Sequence, residues 1–483
     1  MAFVGDKVTA HAGKARQAAA LICGSQSVTR GILAEQVVQI AFAVSRRVVK
    51  GAPVGVDLEN GPEFLATFLG IARAGCKALV FDPNWPTGLR QSIIEATTPA
   101  ITIDASTFGE LTEQSIVETV ADPSEADAFY VGFTSGTTGI PKGFRRSHAS
   151  WLESFAVAEH AFGLSENDVF LICGSLQHSL HLFGAVHALH IGALTVQLKE
   201  FRPVEVLRQT GEHRATVLYC TPTQLHYLIK TALARKEVFP SVRCILTSGA
   251  KWRGLEAEEL RRCFPAATVS EFYGASETSF ITVVPQDAEL PVASVGRAPP
   301  GVEISIRDAD GAIVNEREVG RVWVKSAMLF DGYECGESGD TRWDDNGWLT
   351  VGDHGWVDEK GLLYLTGREN RMIITSAVNV YPEEVERVLE AHPQVELAAV
   401  FGVDEPVRGQ KIVAAFKSVD QELEIEIQVL RRWCRRNLAK EKVPRTFISV
   451  SDWPLTQGGK TNLETLRIRL FPDSGSGSEK VCN

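Results

Sequence analysis

In the first two thirds of the chain, the pattern of apolar and polar positions predicts short strands that alternate with helices. The runs at 54–58 and 78–82 are short and apolar, and the stretch 62–75 between them has a helical pattern. Two further apolar runs, at 217–222 and 243–250, each end in a turn with proline or glycine. Strands that alternate with helices are typical of βαβ units. We therefore predict an α/β fold with doubly wound, mostly parallel sheets, in which ligands bind beyond the carboxyl ends of the strands.

The pattern changes in the last third of the chain. At about 293–366, short alternating strands are separated by turns rich in Gly and Asp, which predicts a β-subdomain. A helical pattern and further strands then indicate a smaller α+β unit. We expect a large N-terminal domain at 1–369 and a small C-terminal domain at 370–483, with a disordered, Gly/Ser-rich tail at 472–483.

Composition excludes several classes of protein. The 483 residues are 44% hydrophobic and 23% charged, as in ordinary globular domains, and the net charge of −11 argues against general binding to nucleic acid. The nine cysteines are scattered without a C-x-x-C pair, so a disulfide framework is not expected. We find neither a signal-peptide pattern nor an apolar run of the ~18 residues that span a membrane. We expect a cytoplasmic protein.

The segment from Tyr130 to Gly143 carries the most informative chemistry. An apolar strand is followed by threonines, a serine, glycines and a lysine. Glycines let backbone N–H groups surround an anion, hydroxyls donate to phosphate oxygens, and lysine adds a positive charge. Pro141 stands where a Walker A loop would need its second glycine. The pattern therefore predicts another kind of polyphosphate loop, rather than an ordinary surface turn.

Five segments resemble, in order, motifs of the adenylate-forming superfamily, which includes acyl-CoA synthetases, stand-alone adenylation domains and beetle luciferases. The sequence TSGTTGIPKG resembles the phosphate loop of that superfamily. The other four resemble its Y-G-x-T-E, ribose-aspartate, hinge and catalytic-lysine motifs and lie at 272–278, 347–353, 367–370 and 457–460. The resemblance implies that a carboxylate attacks the α-phosphate of ATP. Because both reactants are anions, the site must neutralise negative charge.

The resemblance implies roles for the residues around the phosphates. Glu277 is expected to ligate Mg²⁺ together with Thr134, since carboxylate oxygens suit this hard cation. Ser276, where the superfamily more often has threonine, would offer its hydroxyl to the α-phosphate. The β- and γ-phosphates would be held by the loop residues Thr134, Ser135, Gly136, Thr137, Thr138, Gly139 and Lys142.

The resemblance also implies contacts with the nucleoside and with the reacting acid. Asp353 would accept hydrogen bonds from the ribose hydroxyls, with Arg368 assisting. Lys460 would bridge the acid and the α-phosphate and lower their repulsion. The residues placed around adenine are Gly249, Ala250, Tyr273 and Gly274, of which Tyr273 would stack on the base.

The segment 171–184 corresponds to the acyl-pocket motif of the superfamily, with His178 as a pocket wall. Ser179 stands where domains that select α-amino acids have an aspartate. A buried ammonium without that carboxylate would be costly, which favours an acid without an α-amino group. Gly249, Ala250 and Lys251 would line the same pocket, although for Lys251 the residue type favours an outward-pointing side chain over a contact with a polar group of the substrate. The histidines expected on a helix face rather than in a metal site are His181, His187 and His190.

Family members turn the small domain after adenylation so that a phosphopantetheine thiol can enter, and Asn370 falls at that hinge. Asparagine tolerates unusual backbone angles, as a hinge requires. Ala377 stands where glycine is usual beside the thiol tunnel, which predicts slow thioester formation or adaptation to a carrier arm.

The sequence thus predicts an AMP-forming acid–thiol ligase that acts on a fatty or aryl acid, with ATP and Mg²⁺ as cofactors and CoA as acceptor. An alternative is an adenylation enzyme that loads a phosphopantetheinyl carrier protein. A luciferase-like oxidative enzyme and a non-catalytic binding protein are further alternatives, and the retained Glu277 and Lys460 argue against the last of them.

Overall fold

The fold is described from a computed structural model of the chain. The residues that the structure describes are 2–113, 120–134, 141–249, 252, 257–284, 290–291, 293–375, 378–405, 409–420, 425–456 and 460–472. The chain divides into two compact units. The large unit comprises Met1–Ile304, Trp323–Val351 and Gly361–Leu363, and the small unit comprises Ser305–Val322, Gly352–Lys360 and Tyr364–Asn483. The domain limits expected from the sequence stay predictions.

The helices are as follows: α1 Asp6–Lys14, α2 Arg30–Ser45, α3 Pro62–Arg73, α4 Thr87–Thr97, α5 Ala105–Thr112, α6 His148–Phe162, α7 Ser179–Ile191, α8 Pro203–Glu212, α9 Pro222–Arg235, α10 Ala257–Cys263, α11 Pro382–Glu390, α12 Ile427–Asn437 and α13 Leu463–Leu470.

The strands are as follows: β1 Ala19–Cys23, β2 Gln26–Thr29, β3 Pro53–Val56, β4 Lys77–Val80, β5 Ile101–Ile103, β6 Ala128–Thr134, β7 Lys142–Ser147, β8 Val169–Ile172, β9 Leu194–Gln197, β10 Val217–Cys220, β11 Cys244–Thr247, β12 Thr268–Ala275, β13 Ser279–Val283, β14 Ser294–Arg297, β15 Val302–Arg307, β16 Gly320–Ser326, β17 Tyr333–Cys335, β18 Arg342–Trp343, β19 Leu349–Thr350, β20 Asp353–Val357, β21 Leu362–Arg368, β22 Ile373–Thr375, β23 Val378–Val380, β24 Val395–Glu405, β25 Gly409–Ser418 and β26 Thr446–Ser449.

Within the large unit, nine adjacent strands of a 15-stranded sheet have the order β14-β13-β12-β11-β10-β8-β9-β1-β2. The pairs from β1 to β12 through β9, β8, β10 and β11 are parallel, and β13 joins β12 in antiparallel fashion. Every residue of β10 and β11 is buried, as expected for a parallel sheet covered on both faces. The predicted α/β class with mostly parallel sheets is confirmed.

A second sheet of the large unit has the order β17-β7-β6-β4-β3-β5. Strands β3 and β4, with α3 between them in the chain, pair in parallel, which agrees with the βαβ unit predicted there. Strands β6 and β7 form an antiparallel hairpin, and β17 adds to its β7 edge. The candidate phosphate loop is the connection of this hairpin.

Local sequence explains where helices of the large unit begin and end. Thr221 and Gln224 form a reciprocal capping box at the start of α9, followed by a proline in its first turn. Helix α6 begins after Ser147, whose side chain accepts the Ser150 N–H, and ends at Gly163 with φ of 58°.

The small unit contains a sheet of order β23-β22-β25-β24, in which β26 also pairs with β25. Strands β24 and β25 pair over Val395–Glu405 and Gly409–Ser418. Buried residues of α11 and α12, Val385, Leu389, Leu430 and Cys434, pack against this sheet in one hydrophobic core.

Among the described residues, every helix is too short or too polar to cross a bilayer. The cysteines of the described part of the chain are free, and all but the half-buried Cys335 are buried.

Candidate active site

The β6–β7 hairpin brings two predicted phosphate-binding residues together. Thr134 ends β6 and lies opposite Lys142, the first residue of β7. Both are half-buried. The predicted loop residues that lie outside the described part of the chain are Ser135, Gly136, Thr137, Thr138 and Gly139.

A tight turn between β12 and β13 carries Ser276 and Glu277. A bulge follows Tyr273, and at Gly274 an added Cβ would lie 1.6 Å from the Ser279 carbonyl oxygen, so this position needs glycine. The Ala275 N–H donates to Thr278 Oγ1 at 2.9 Å, which closes the turn.

Tyr333 holds the Glu277 side chain. Its hydroxyl donates to Glu277 Oε1 at 2.8 Å and lies 2.9 Å from Thr341 Oγ1, and the Phe330 N–H donates to the Glu277 carbonyl oxygen. Burial, and then the negative charge of Glu277, raise the pKa of Tyr333, so the phenol stays a donor. Since β17 pairs with β7, Tyr333 also links this carboxylate to the phosphate-loop hairpin.

Arg146 on β7 is buried and holds the same turn from the other side. It donates to the Ser276 carbonyl oxygen at 2.9 Å and to Ser279 Oγ at 2.6 Å. Burial lowers the pKa of Arg146 to about 10, against the raising effects of Asp331, Tyr130 and Glu277, so the guanidinium stays charged at neutral pH. Sequence reasoning missed Arg146 and Tyr333. A signal existed for the first, because Arg146 has the same parity in β7 as the buried Phe144.

The predicted acyl-pocket residue Ser179 lies beside this turn. It begins α7, and its Oγ is 3.3 Å from Ser276 Oγ. His178 precedes the helix and is half-buried. The structure thus brings together a residue predicted for the acid and one predicted for the α-phosphate.

Asn60, which the sequence did not single out, fixes the loop that leads to Ser179. Its Oδ1 accepts the Leu176 N–H at 2.9 Å, and its Nδ2 donates to the carbonyl oxygens of Leu198 at 3.1 Å and Gly174 at 3.4 Å. The amide is buried, so these bonds replace water and set the course of the loop.

The other histidines of α7 are buried in the helix packing. His187 stacks on Phe155 with ring centroids 4.7 Å apart and lies 3.4 Å from Glu159. Burial, and then the neighbouring His178, lower the pKa of His181 to about 3. An added Cβ at Gly174 would lie 2.1 Å from the His181 ring, so the two residues fit closely.

The predicted adenine segment follows β11. Ser248 Oγ donates to the Phe272 carbonyl oxygen at 2.8 Å, which ties the end of β11 to β12. Gly249 has φ of 90°, a conformation that favours glycine, and Tyr273 on β12 is half-buried. Ala250 and Lys251 lie outside the described residues.

In the small unit, the predicted ribose residues contact each other. Asp353 at the start of β20 is buried, and its Oδ1 accepts a hydrogen bond from Arg368 Nε at 2.9 Å. Arg368 ends β21, and its side chain is 54% exposed. This leaves the guanidinium accessible while one of its nitrogens orients the aspartate.

Lys460 lies where two short chain segments of the small unit meet. Its carbonyl oxygen accepts the Thr456 N–H at 2.7 Å, and Trp453 Nε1 donates to Thr461 Oγ1 at 3.0 Å. Lys460 is exposed as a residue, but partial desolvation by surrounding protein atoms, and then the positive charge of Arg368, lower its pKa. Asn370 is exposed in a 3₁₀ turn over Glu369–Arg371. Ala377 lies outside the described residues.

The chain contains the sequence pattern of an AMP-binding enzyme at residues 8–334 and of an AMP-binding enzyme C-terminal domain at 384–460. The chain belongs to the AMP-binding enzyme family. The resemblance to adenylate-forming enzymes is therefore confirmed. Lys460 is the last residue of the second matched region.

Named relatives of this AMP-binding enzyme are acyl–CoA ligases. An uncharacterized acyl–CoA ligase of Bacillus subtilis, YhfT, is 38% identical over 84% of this chain and 86% of the relative. The 2-succinylbenzoate–CoA ligase of Bacillus pumilus is 28% identical over 95% and 96%. Among solved structures, the o-succinylbenzoate coenzyme A synthetase of Bacillus subtilis, in complex with ATP and magnesium ion, is 26% identical with a TM-score of 0.84, covering 95% of this chain and 98% of that one.

Proposed function

We propose that this protein uses ATP to convert a carboxylic acid into an acyl-adenylate, releasing pyrophosphate, and then transfers the acyl group to the thiol of CoA, releasing AMP. The first step forms a bond between the carboxylate oxygen and the α-phosphorus and breaks the bond to pyrophosphate. The second step forms a bond between the thiol sulfur and the acyl carbon and breaks the bond from that carbon to the phosphate oxygen of AMP, while the thiol proton is released.

The observation that carries this proposal is the arrangement around Ser276. Its hydroxyl faces Ser179 of the predicted acyl pocket, and the next residue, Glu277, is tied through Tyr333 to the hairpin that bears Thr134. The groups proposed for the acid, the α-phosphate and the polyphosphate are therefore neighbours in one unit. Such positioning supports a displacement at phosphorus, because protein groups mainly orient the reactants and offset their charge.

The residues present fit Mg²⁺. Among the described residues, Tyr333 supplies the hydrogen bond to the Glu277 carboxylate, through Oε1, so Oε2 keeps its lone pairs for a hard cation. Glu277 would hold the ion, with Thr134 as a second candidate oxygen. When bound, the cation would offset charge on the phosphate oxygens.

We propose that Lys460 supplies the positive charge between acid and α-phosphate, and that Asp353 and Arg368 bind the ribose. The contact between Asp353 and Arg368, and the charge effect of Arg368 on Lys460, support treating these three residues as one group. Asn370 is proposed as the hinge residue, since its own side chain is exposed and does not restrict a change of its backbone angles by packing.

The acid is proposed to be fatty or aryl, without an α-amino group. Ser179 presents a hydroxyl to Ser276, and a hydroxyl cannot neutralise a buried ammonium as a carboxylate would. The name of the 2-succinylbenzoate–CoA ligase relative is consistent with an aryl acid. A cytoplasmic location is proposed on the free, mostly buried cysteines of the described residues, which suit a reducing compartment.

The test is ATP–pyrophosphate exchange measured with a panel of fatty, aryl, hydroxy and α-amino acids, each with Mg²⁺. We expect label exchange with at least one fatty or aryl acid and none with α-amino acids. The active acid is then incubated with ATP and either free CoA or a pantetheinylated carrier protein, and thioester is measured by mass spectrometry. Thioester with CoA is expected.

Three results would contradict parts of this proposal separately. If no acid on the panel supported ATP–pyrophosphate exchange, the proposed adenylation step would be refuted. Exchange with α-amino acids alone would overturn the assignment of Ser179. Thioester on the carrier protein but never on CoA would replace the acceptor.

A further inference from the structure

We propose that Arg146 is a positioning residue that joins the phosphate-loop strand to the Ser276–Glu277 turn and thereby sets the affinity for MgATP. This inference rests on the proposed function, since it concerns the groups assigned above to the α-phosphate and the cation. Arg146 itself touches neither acid nor nucleotide in this proposal. Its effect passes through the peptide of Ser276.

The contacts of Arg146 converge on the turn. The guanidinium donates through Nη1 to the Ser276 carbonyl oxygen, and through Nη2 to Ser279 Oγ and to the Met328 carbonyl oxygen, at 2.6 to 2.9 Å. Its Nε donates to Ser150 Oγ at 3.2 Å. One rigid side chain thus fixes both ends of the turn that carries Glu277.

The turn needs such support because its backbone is unusual. Ser279 has φ of 56°, a left-handed conformation that is costly for a residue other than glycine. Its side-chain oxygen accepts hydrogen bonds from Arg146 and, at 2.9 Å, from Ser154 Oγ. Losing the guanidinium would release this end of the turn.

The location of Arg146 in the chain makes it a link. It lies on β7, the strand that starts at Lys142 directly after the phosphate loop. A displacement of β7 therefore moves the guanidinium, and the guanidinium moves the turn. We infer that the two halves of the MgATP site are kept at a fixed spacing by this side chain.

Burying the arginine charge is also costly, and packing alone would not require a charged group at this position. Arg146 is 3% exposed, and the negative charges of Asp331 and Glu277 help to keep its guanidinium protonated. Lysine would keep the charge but not the planar fork, because its donors radiate from a single nitrogen. Arg146→Lys therefore tests whether the hydrogen-bond geometry of the guanidinium matters, because the positive charge is kept.

Arg243 offers a matched control in the large unit, directly before β11 and at the end of that strand opposite the predicted adenine segment. Its guanidinium donates to the Asp168 carboxylate at 2.7 and 2.9 Å and to the Gly163 carbonyl oxygen at 2.7 Å, and its side chain is 35% exposed. Arg243→Lys changes the same chemical group and also costs several hydrogen bonds, but none of those bonds reaches the Ser276–Glu277 turn.

The experiment compares wild type, Arg146→Lys and Arg243→Lys. The affinity for MgATP is measured by isothermal titration calorimetry. Adenylation is followed as ATP–pyrophosphate exchange at varied Mg²⁺ concentration, and the second step as thioester formation from added acyl-adenylate. For Arg146→Lys we expect MgATP affinity to fall roughly 10- to 100-fold, the range for a lost charged hydrogen bond. Its KM for the acid and its thioester step should stay near wild type, and Arg243→Lys should match wild type in MgATP affinity, exchange and thioester formation.

MgATP affinity of Arg146→Lys equal to that of wild type would overturn the inference. Equal losses in nucleotide binding and in the thioester step, with a lower melting temperature, would also overturn it, because they indicate a merely structural role. A wild type that shows no exchange with any acid refutes the proposed function instead, while calorimetry still tests Arg146.

Discussion

At the scale of single residues, the site depends on buried hydrogen bonds that orient charged groups. Asp353 is oriented by Arg368, Glu277 by Tyr333, and the turn beneath Glu277 by Arg146. Tyr333 and Arg146 orient their partners without a proposed contact of their own to the nucleotide, whereas Arg368 both orients Asp353 and is proposed to bind the ribose. Such support restricts the rotamers of the contacting group before the ligand arrives.

The lowered pKa of Lys460 predicts a pH dependence. Its ammonium is charged below its pKa and neutral above it, and that pKa lies below the ordinary lysine value of 10.5. The adenylation rate should therefore begin to fall at a lower pH than an unperturbed lysine would allow. The measurement is the initial rate of ATP–pyrophosphate exchange from neutral to alkaline pH, with circular dichroism to establish that the protein stays folded.

Lys460→Arg is the matched variant for this prediction. Arginine keeps its charge over the whole range, so the remaining activity of Lys460→Arg should lack the alkaline decline. A decline at the same pH in both proteins would assign the titration to another group.

Residues inside short motifs that follow one another in a known order along the chain were predictable from the sequence, whereas their hydrogen-bond partners were not. Thr134, Ser276 and Glu277 could be singled out because their neighbours in the chain identify the motif. Tyr333 and Arg146 meet Glu277 and Ser276 only through tertiary folding, across 56 and 130 positions of the chain. Such long-range hydrogen bonds leave no local pattern, apart from the arginine at an inward position of β7.

At the scale of secondary structure, β-hairpins position the predicted phosphate and metal groups. The β6–β7 hairpin aligns Thr134 with Lys142, and the β12–β13 turn presents Glu277. Strand and helix positions in the large unit follow the apolar patterns, as α3 and β10 illustrate. The bulge at Gly274 was not predicted, because its cause is the approach of the Ser279 carbonyl oxygen from the partner strand.

Gly274→Ala should therefore disrupt the β12–β13 turn. The added Cβ would meet a backbone oxygen at 1.6 Å, so the strands must separate. We expect a loss of about 1–3 kcal/mol in the free energy of unfolding, typical of overpacking, with a larger loss of exchange activity. Urea unfolding and ATP–pyrophosphate exchange measure the two effects.

Gly211→Ala is the control for this substitution. Gly211 lies in α8, and an added Cβ there would meet only the Phe239 ring at 3.7 Å, an ordinary contact. Helix propensity favours this alanine, so stability should stay constant or rise. If Gly274→Ala were as stable and as active as Gly211→Ala, the close approach would have no consequence.

At the scale of the whole molecule, the proposed catalytic groups are divided between the two units. Thr134, Ser276 and Glu277 belong to the large unit, and Asp353 and Lys460 to the small one. The predicted ligase class is supported by the named relatives along nearly the whole chain. Segments 305–322 and 352–360 group with the small unit through contacts in the fold, which no local pattern of the sequence indicates.

This division predicts that the half-reactions respond differently to Lys460→Ala. Adenylation brings two anions together and should lose most of its rate, roughly 100-fold or more for a transition-state charge contact. Thioester formation from added acyl-adenylate has a neutral thiol or thiolate as attacking group and should survive. Single-turnover assays of each step measure the split.

Ser449→Ala is a useful companion in those assays, since it alters the end of β26 in the same unit without touching a group proposed for catalysis. Equal loss of both half-reactions in Lys460→Ala, against an unchanged Ser449→Ala protein, would contradict the proposed separation.

The bonds of Arg146 also limit how this site can be redesigned. A turn transplanted from a relative into positions 275–279 would bring its own side chains but not the arginine beneath it. If the new turn lacked acceptors facing residue 146, the buried guanidinium would lose hydrogen-bond partners. The loss would lower the free energy of unfolding by several kcal/mol. Exchange of substrate-binding segments between homologues should therefore move residue 146 and the turn as one module.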